Sequence, residues 1–274
     1  MKHVGVARRE LSLRRNNIII FCIIVALLAI LYTAIYPALQ HQATQLINSI
    51  GNVYKDVGVV GKVSFSTLQS YMALEMFAIT WPILVTVFAA SLSGAALSGE
   101  IEKGTLGMLL ALPLKRTTIY FGKYLTGIIS IAIFVITTIT PIILIAKIGH
   151  MDLQFTHFAT TALLCFLFGT AVYSLALFFS ALFNEKTHLY GLIGCIIFLM
   201  YVINAVAGLK TSLAGLKYVS FFHYFNVTGS LVNNHISNSS YLIFISVSVF
   251  STLMGALILK YRDFIIYRYY AFAK

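Results

Sequence analysis

Six apolar runs, each about as long as a membrane-spanning helix, dominate this sequence. The hydrocarbon core of a bilayer is about 30 Å thick, and about 20 apolar residues in an α-helix cross it. The runs cover residues 18–36, 71–98, 125–146, 158–183, 189–209 and 241–259. Because the 274 residues are 59% hydrophobic and only 10% charged, little is left for a soluble domain. The sequence therefore predicts an all-α integral membrane protein with one transmembrane domain, residues 1–274.

Proline and glutamate residues distinguish the first two runs from the others. The first run ends at Pro37, whose missing N–H group cannot continue a helix, so we expect the first helix to end there. The second run contains Pro82 and also Glu75, the only acid inside a predicted span. Because an intramembrane carboxylate is costly, Glu75 is a candidate for a role in a transport pathway or gate. The alternatives are an acid in a solvated outer vestibule and a buried, hydrogen-bonded acid.

The distribution of Lys and Arg predicts which segments face the cytoplasm. Cytoplasmic flanks of spans carry an excess of these residues, and an even number of spans places both termini on one side. If that side is the cytoplasm, 14 of the 19 basic residues lie on cytoplasmic segments. We therefore expect a plasma-membrane protein with both termini in the cytoplasm, together with residues 99–124. The net charge of +11 then reflects topology and lipid headgroups, and not nucleic-acid binding.

Two predicted outer segments are longer than a turn. Residues 38–70 are polar, with glycines that favour one or two brief helices. Residues 210–240 include an aromatic stretch that is too interrupted to cross a membrane, so it either lies in the interface or re-enters the membrane buried against protein. Four neighbouring residues of this stretch are candidates for a pathway or gate, with an interfacial aromatic belt as the alternative: Phe221, Phe222, His223 and Tyr224.

The sequence contains no motif for nucleotide hydrolysis or metal binding. Neither Gly61-Lys62 nor Gly122-Lys123 is followed by Ser or Thr, as a phosphate-binding loop requires. The histidines are scattered, and the three cysteines lie inside apolar runs without a CxxC pair. We therefore expect no catalytic site, metal or bound cofactor in this chain, and any ATP-driven step would need another polypeptide.

Residues 99–124 form the only long charged segment in the interior of the chain. Helical spacing i, i+3, i+4 and i+7 relates four of its residues: Leu106, Leu109, Leu110 and Pro113. A short helix that begins near Thr105 and ends before the proline would present these residues on one apolar face. A second helix is expected to start at Thr117 or Thr118 and to lead into the third span. The apolar face either packs under the bundle or in the headgroup layer, or docks on a partner protein.

Residues 99–125, GEIEKGTLGMLLALPLKRTTIYFGKYL, resemble the intracellular loop signature of type 2 ABC transporter permeases. In that signature an acidic pair precedes Gly-Thr-Leu, an apolar turn, a proline, a basic residue and a Gly-Lys or Glu-Lys. Further matches follow in the family's order: RRELSLRR before the first span, STLQSYMALEMFAI at the second, YVSFFHYFNV after the fifth and YRDF closing the sixth. The sequence departs from the pattern at Gly107, where an acid is common, and at Phe221, where a proline is common.

The resemblance implies a six-span permease subunit of an ATP-driven exporter. Such a subunit pairs with a second copy or a paralogue and with a separate ABC ATPase subunit, which binds ATP and Mg. The loop between spans two and three would be the coupling helix that docks into the ATPase. The residues that match its coupling positions are Glu100, Glu102, Gly104, Thr105, Leu106, Leu109, Leu110, Pro113, Arg116 and Lys123.

Substrate and transport mode are less constrained by the sequence. Apolar spans with little charge favour a lipid, a drug or an amphipathic peptide. The family also implies an amphipathic elbow helix at the N-terminus, yet residues 4–13 show no clean apolar stripe. The alternative function is a channel or ion-coupled carrier that works alone, which would line several spans with polar residues, whereas only Glu75 is available.

Overall fold

The computed structural model describes residues 2–56, 67–105, 115–209 and 211–261, with side chains described in 5–39, 67–105, 115–209, 213 and 215–261. Helices are the only regular secondary structure in these ranges. Six helical segments of the described chain are long and apolar enough to cross a membrane. The predicted all-α fold with six spans is therefore confirmed.

The helices have the following bounds in chain order: α1, Lys2–Asp56; α2, Leu68–Met72; a π-helical segment, Ala73–Thr80; α3, Trp81–Ala96; α4, Ser98–Glu102; α5, Arg116–Ile148; α6, Phe155–Leu182; α7, Lys186–Leu209; a 3₁₀ helix, Thr211–Val219; α8, Phe221–Tyr224; α9, Val227–Leu231; and α10, Asn238–Tyr261. The second span is continuous from Leu68 to Ala96 and comprises α2, the π-helical segment and α3. The other five spans belong to α1, α5, α6, α7 and α10.

The second span and α6 form the centre of the bundle. α1 packs mainly on α5, α10 packs on α6 and α5, and α7 packs on α3. At the core, the fully buried Trp81 ring lies 6.2 Å from both Phe134 and Phe168, and its indole N–H donates to Thr138 Oγ1 at 3.2 Å. A buried indole needs such a partner because an unpaired N–H group is costly away from water.

α1 does not end at Pro37, so the prediction of a short first helix followed by brief outer helices is wrong for residues 38–56. The helix contains 55 residues and is about 80 Å long at about 1.5 Å per residue. Pro37 removes one hydrogen bond and crowds the carbonyl of Thr33, a cost that long membrane helices tolerate. The Tyr36 ring, which packs 5.5 Å from the Tyr71 ring, holds this part of α1 against the second span. The N-terminal residues belong to the same helix and do not form a separate elbow.

The second span opens into a π-helix just before Pro82. Pro82 has no N–H group for the carbonyl four residues earlier, and its ring would collide with that carbonyl in a regular α-helix. The preceding turn is wider instead, with the Trp81 N–H donating to the carbonyl of Met76 and Thr80 Oγ1 donating to the carbonyl of Glu75 at 3.2 Å. Glu75 therefore lies in a widened turn, a type of helix irregularity that is frequent at functional sites.

The segment between α7 and α10 divides into an exposed and a buried part. Tyr218 and Val219 are 60% and 61% exposed, whereas Phe221 and Phe225 are 6% and 5% exposed. The Phe225 ring lies 5.7 Å from the Trp81 ring and 4.5 Å from the Phe168 ring. Part of residues 220–231 is therefore buried against the protein.

The other predicted spans differ from the observed helices mainly in length. α5 begins at Arg116, one residue before the earlier of the two expected starts, and extends well beyond predicted span 125–146. It also passes through Pro141 without a break. The remaining helices begin up to three residues before, and end within two residues of, the predicted spans.

Candidate functional site

The site predicted by the sequence lies at the end of the bundle where α3 gives way to α4. We call this the polar end, defined by residues 5–17, 97–105, 115–126 and 180–188. α4 stops at Glu102, and Gly104 adopts a positive φ of 70° just after it. A left-handed residue directly after a helix allows the chain to turn back on the last carbonyls, and glycine does so without a Cβ clash. Gly104 N–H donates accordingly to the carbonyl of Ile101 at 3.0 Å.

α4 is held against α6 by a group of buried serines. Ser98 N–H donates to Ser180 Oγ at 3.1 Å, and the two hydroxyl groups lie 2.9 Å apart. Ser180 Oγ in turn donates to the carbonyl of Ser93 at 2.6 Å. These bonds satisfy polar groups at the break between α3 and α4, where helical hydrogen bonding is interrupted. The base of the predicted loop is thereby fixed to the C-terminal turn of α6.

Glu102 extends from the end of α4 towards the start of α7. One of its carboxylate oxygens, Oε2, lies 3.9 Å from Lys186 Nζ and 3.4 Å from the Lys186 backbone N–H group, which donates to it. A carboxylate beside the first turn of a helix is favoured by the exposed N–H groups there. The pair is partly exposed, so its energetic contribution is small, but it orients α4 towards α7.

Lys123, on the second turn of α5, is the centre of a buried ion cluster. Its side chain is completely buried, with Nζ 2.5 Å from Glu10 Oε1 and 2.9 Å from Glu100 Oε1. Glu10 is also paired with Arg14 at 3.5 Å, one turn further along α1. We use the term ion cluster for these four residues, Glu10, Arg14, Glu100 and Lys123. Their two positive and two negative charges balance, which is the condition under which ions are tolerated in a protein interior.

The Glu100 carboxylate has fewer polar contacts among the described residues than the Lys123 ammonium group has. Burial raises the pKa of the Glu100 carboxyl above its ordinary value, and the neighbouring Lys123 ammonium opposes this rise. Its second oxygen, Oε2, is buried and has no hydrogen-bond partner among the described residues.

The close approach of α6 to the ion cluster depends on a glycine of α5. Tyr173 Oη donates to the backbone carbonyl of Lys123 at 2.9 Å. A Cβ atom on Gly127 would lie only 1.9 Å from Tyr173 Cζ, so this ring fits only because residue 127 has no side chain. Thus α6 contacts the backbone of Lys123, whereas α1 and α4 contact its side chain.

The structure brings together part of the predicted coupling site. Glu100 and Lys123 form an ion pair, Glu102 pairs with Lys186, and Gly104 and Thr105 are exposed. Arg116 is partly exposed at the start of α5. Four predicted members lie outside the described residues: Leu106, Leu109, Leu110 and Pro113.

Two partners of the predicted residues were not identified from the sequence, Glu10 and Lys186. Glu10 is the only acid in the basic segment before the first span, and this isolation was the available signal. Within the described chain, no three His, Cys, Asp or Glu side chains are close enough to hold one metal ion.

The predicted pathway residues lie at the opposite end of the bundle. Glu75 is partly exposed on the π-helical segment, which contacts α9. Phe221 is buried against the Phe168 and Phe244 rings, and Phe222, His223 and Tyr224 are half-buried. Burial lowers the pKa of His223, and Lys217 lowers it further. Glu75 and the segment that contains Phe221–Tyr224 therefore lie near each other and away from the ion cluster.

Comparison with known proteins connects these features to one family. No curated protein sequence matches this chain. The sequence pattern of the family described as ABC-2 family transporter protein matches residues 5–272, which is nearly the whole chain. The matched region contains all six spans, the ion cluster and the predicted pathway residues. The chain therefore belongs to the ABC-2 family of transporter membrane proteins and is a multi-pass permease subunit of an ABC transporter.

Proposed function

We propose that this chain is the permease of an ATP-driven exporter in the plasma membrane and that its polar end faces the cytoplasm. A separate ABC ATPase subunit, which carries ATP and Mg, docks on residues 99–124. Two permease subunits, identical or paralogous, enclose the pathway. The family assignment supports the association with an ATPase, and the excess of Lys and Arg at the polar end supports the orientation.

The observation that carries this proposal is the attachment of the loop base to the spans. Ser98 is bonded to α6, Glu102 to α7, and Glu100 to α5 through Lys123. A force applied to the loop therefore reaches α5 and α6 through short, buried contacts and α7 through a partly exposed ion pair. Transporters use such rigid attachments to convert closure of one domain into rearrangement of another. A surface loop without a mechanical role would not need this number of buried polar bonds.

The opposite end has features that suit a gated pathway for an apolar or amphipathic molecule. The π-helical segment allows the second span to change its winding, because its hydrogen bonds are already irregular. Glu75 adds a polar group in this segment, and the aromatic-rich residues 220–231 pack beside the segment. The spans carry little charge, which favours a lipid, a drug or an amphipathic peptide over a small ion.

Copurification tests the docking part of this proposal. The tagged chain is solubilised gently, and its partner is identified by a phosphate-binding loop and by binding of ATP. We expect an ABC ATPase with the wild-type chain and its loss when Leu106, Leu109 and Leu110 are all changed to Asp. Leu13→Asp is the matched control, since it adds an acid at an exposed position of the polar end. An ATPase that remains bound to the triple variant would contradict docking through this apolar face.

A further inference from the structure

The first turns of α1 carry a buried polar face that membrane insertion does not require. Glu10 is 5% exposed and Ala7 is 3% exposed, whereas Arg8, Arg9 and Arg15 on the other side of the helix are exposed. An ordinary cytoplasmic flank would place its charged residues in water or among headgroups. The buried polar face therefore indicates that residues 5–17 pack on a specific surface of the same chain.

That surface consists of the second span and α5. Asn17 Nδ2 donates to Ser91 Oγ at 3.0 Å, and the Arg14 guanidinium donates to the carbonyl of Ala95. On the other side, Thr126 Oγ1 donates to the carbonyl of Ala7 at 3.3 Å. The contacts with the second span lie in the two turns that precede α4. They attach residues 5–17 of α1 to the segment that leads into the loop.

Lys123 completes this attachment because it contacts α1 and α4 with the same atom. Its Nζ binds Glu10 on α1 and Glu100 on α4, and its own backbone belongs to α5, which follows the loop. The Lys123 ammonium group thus joins three parts of the chain. These are Glu100 before the loop, α5 after the loop, and Glu10 at the start of α1. A buried lysine with two carboxylates has few alternative positions, since moving away would leave at least one ion unpaired.

We propose that Lys123 is a positioning residue that locks residues 5–17 of α1 to the base of the loop, so that α1 moves with the loop when the ATPase closes. This inference rests on the proposed function and adds α1 to the moving unit. Stability alone does not account for the cluster, because buried ions are often replaced by apolar residues without loss of stability.

The test uses the complete permease with the ATPase that copurifies with it. The main variant neutralises the lysine and the two carboxylates that bind it: Glu10→Gln, Glu100→Gln and Lys123→Met together. A second variant, Glu10→Gln alone, keeps the Lys123–Glu100 pair and removes the ion pair between Lys123 and α1, while the hydrogen bonds of α1 to the second span and to Thr126 stay in place. Arg15→Gln is the matched control, since it removes a charge from the exposed side of the same helix. The measurements are ATP hydrolysis, substrate transported per ATP, and hydrogen exchange of residues 5–17 with and without trapped ATP.

In the wild type and in Arg15→Gln, we expect trapped ATP to change hydrogen exchange in residues 5–17. In both cluster variants this response should disappear and transport per ATP should fall about tenfold, while the ATPase stays bound. Unchanged transport per ATP together with a retained exchange response in Glu10→Gln would overturn the inference, even if the triple variant failed to fold. A wild-type chain that binds no ATPase would instead overturn the proposed function.

Discussion

Lys123 Nζ lies 2.9 Å from Glu100 Oε1, and this contact joins the two flanks of the loop that the sequence singles out. Glu100 precedes the loop on α4, and Lys123 follows it on α5. The pair therefore holds both flanks together whatever the intervening residues contact. Because Glu10 binds the same ammonium group, α1 is included in the junction. The energetic and mechanical consequences of this junction lead to the following predictions.

Lys123→Met should destabilise the protein strongly. Its side chain is fully buried, so the variant leaves the Glu100 carboxylate without a cation and Glu10 with Arg14 alone, a loss of about 3–5 kcal/mol. The unfolding temperature in detergent should fall by about 10 °C. Adding Glu10→Gln and Glu100→Gln should recover most of that loss, because no buried charge then lacks a partner. An unfolding temperature equal to that of the wild type would show that the cluster is accessible to water.

Gly127→Ala should disturb the junction from its backbone side. The new Cβ would lie 1.9 Å from Tyr173 Cζ and would push the ring away from the Lys123 carbonyl. Overpacking of this kind costs about 1–3 kcal/mol, measurable by thermal unfolding. Gly191→Ala is the control, since nothing lies within 4 Å of its added Cβ and alanine favours the helix. Equal unfolding temperatures for the two variants would contradict the close packing of α5 and α6.

Phe225→Ala should release the buried segment between α7 and α10. The ring is buried among Trp81 and Phe168, so its removal leaves a cavity that costs about 3–5 kcal/mol. Hydrogen exchange of residues 220–231 should become faster. Tyr218→Ala, at a position 60% exposed, should change stability by less than about 0.5 kcal/mol. Slow exchange in Phe225→Ala would mean that the polar bonds of the segment are sufficient to hold it.

Glu75→Gln should lower transport while leaving assembly intact. The carboxylate lies on the π-helical segment, far from the polar end, so the amount of copurified ATPase should not change. A loss of about 1.4 kcal/mol of stabilisation in the transport step would reduce the rate about tenfold. Glu185→Gln is a suitable comparison, because that side chain is 60% exposed at the other end of the bundle. Equal transport by the two variants would assign Glu75 a structural role.

The six spans could be predicted from the sequence because bilayer thickness imposes a minimum length on an apolar helix. The same reasoning could not predict the end of α1. Proline removes one hydrogen bond, and whether a helix continues through Pro37 depends on tertiary contacts such as that between Tyr36 and Tyr71. The buried position of Phe225 was likewise undetermined, since an aromatic stretch of this length suits both an interface and a protein interior.

The candidate site was only partly predictable for a related reason. The family signature identified Glu100, Glu102 and Lys123, which lie close to each other in the chain. Their partners Glu10 and Lys186 could not be assigned, since Glu10 is 113 positions from Lys123 and its isolation among basic residues does not indicate which cation it binds. The sequence therefore predicted charged residues at a docking loop, and the structure shows that several of these charges face inward to the spans.

Reconstituted transport tests the central claim most directly, namely that a separate ATPase drives this permease through residues 99–124. The chain is placed in liposomes with and without the copurified ATPase, and transport of a fluorescent lipid is followed with and without ATP. We predict transport only when both the ATPase and ATP are present, and none when Leu106, Leu109 and Leu110 are changed to Asp. Full transport by the chain alone without ATP would contradict the claim and would indicate a channel or carrier that works by itself.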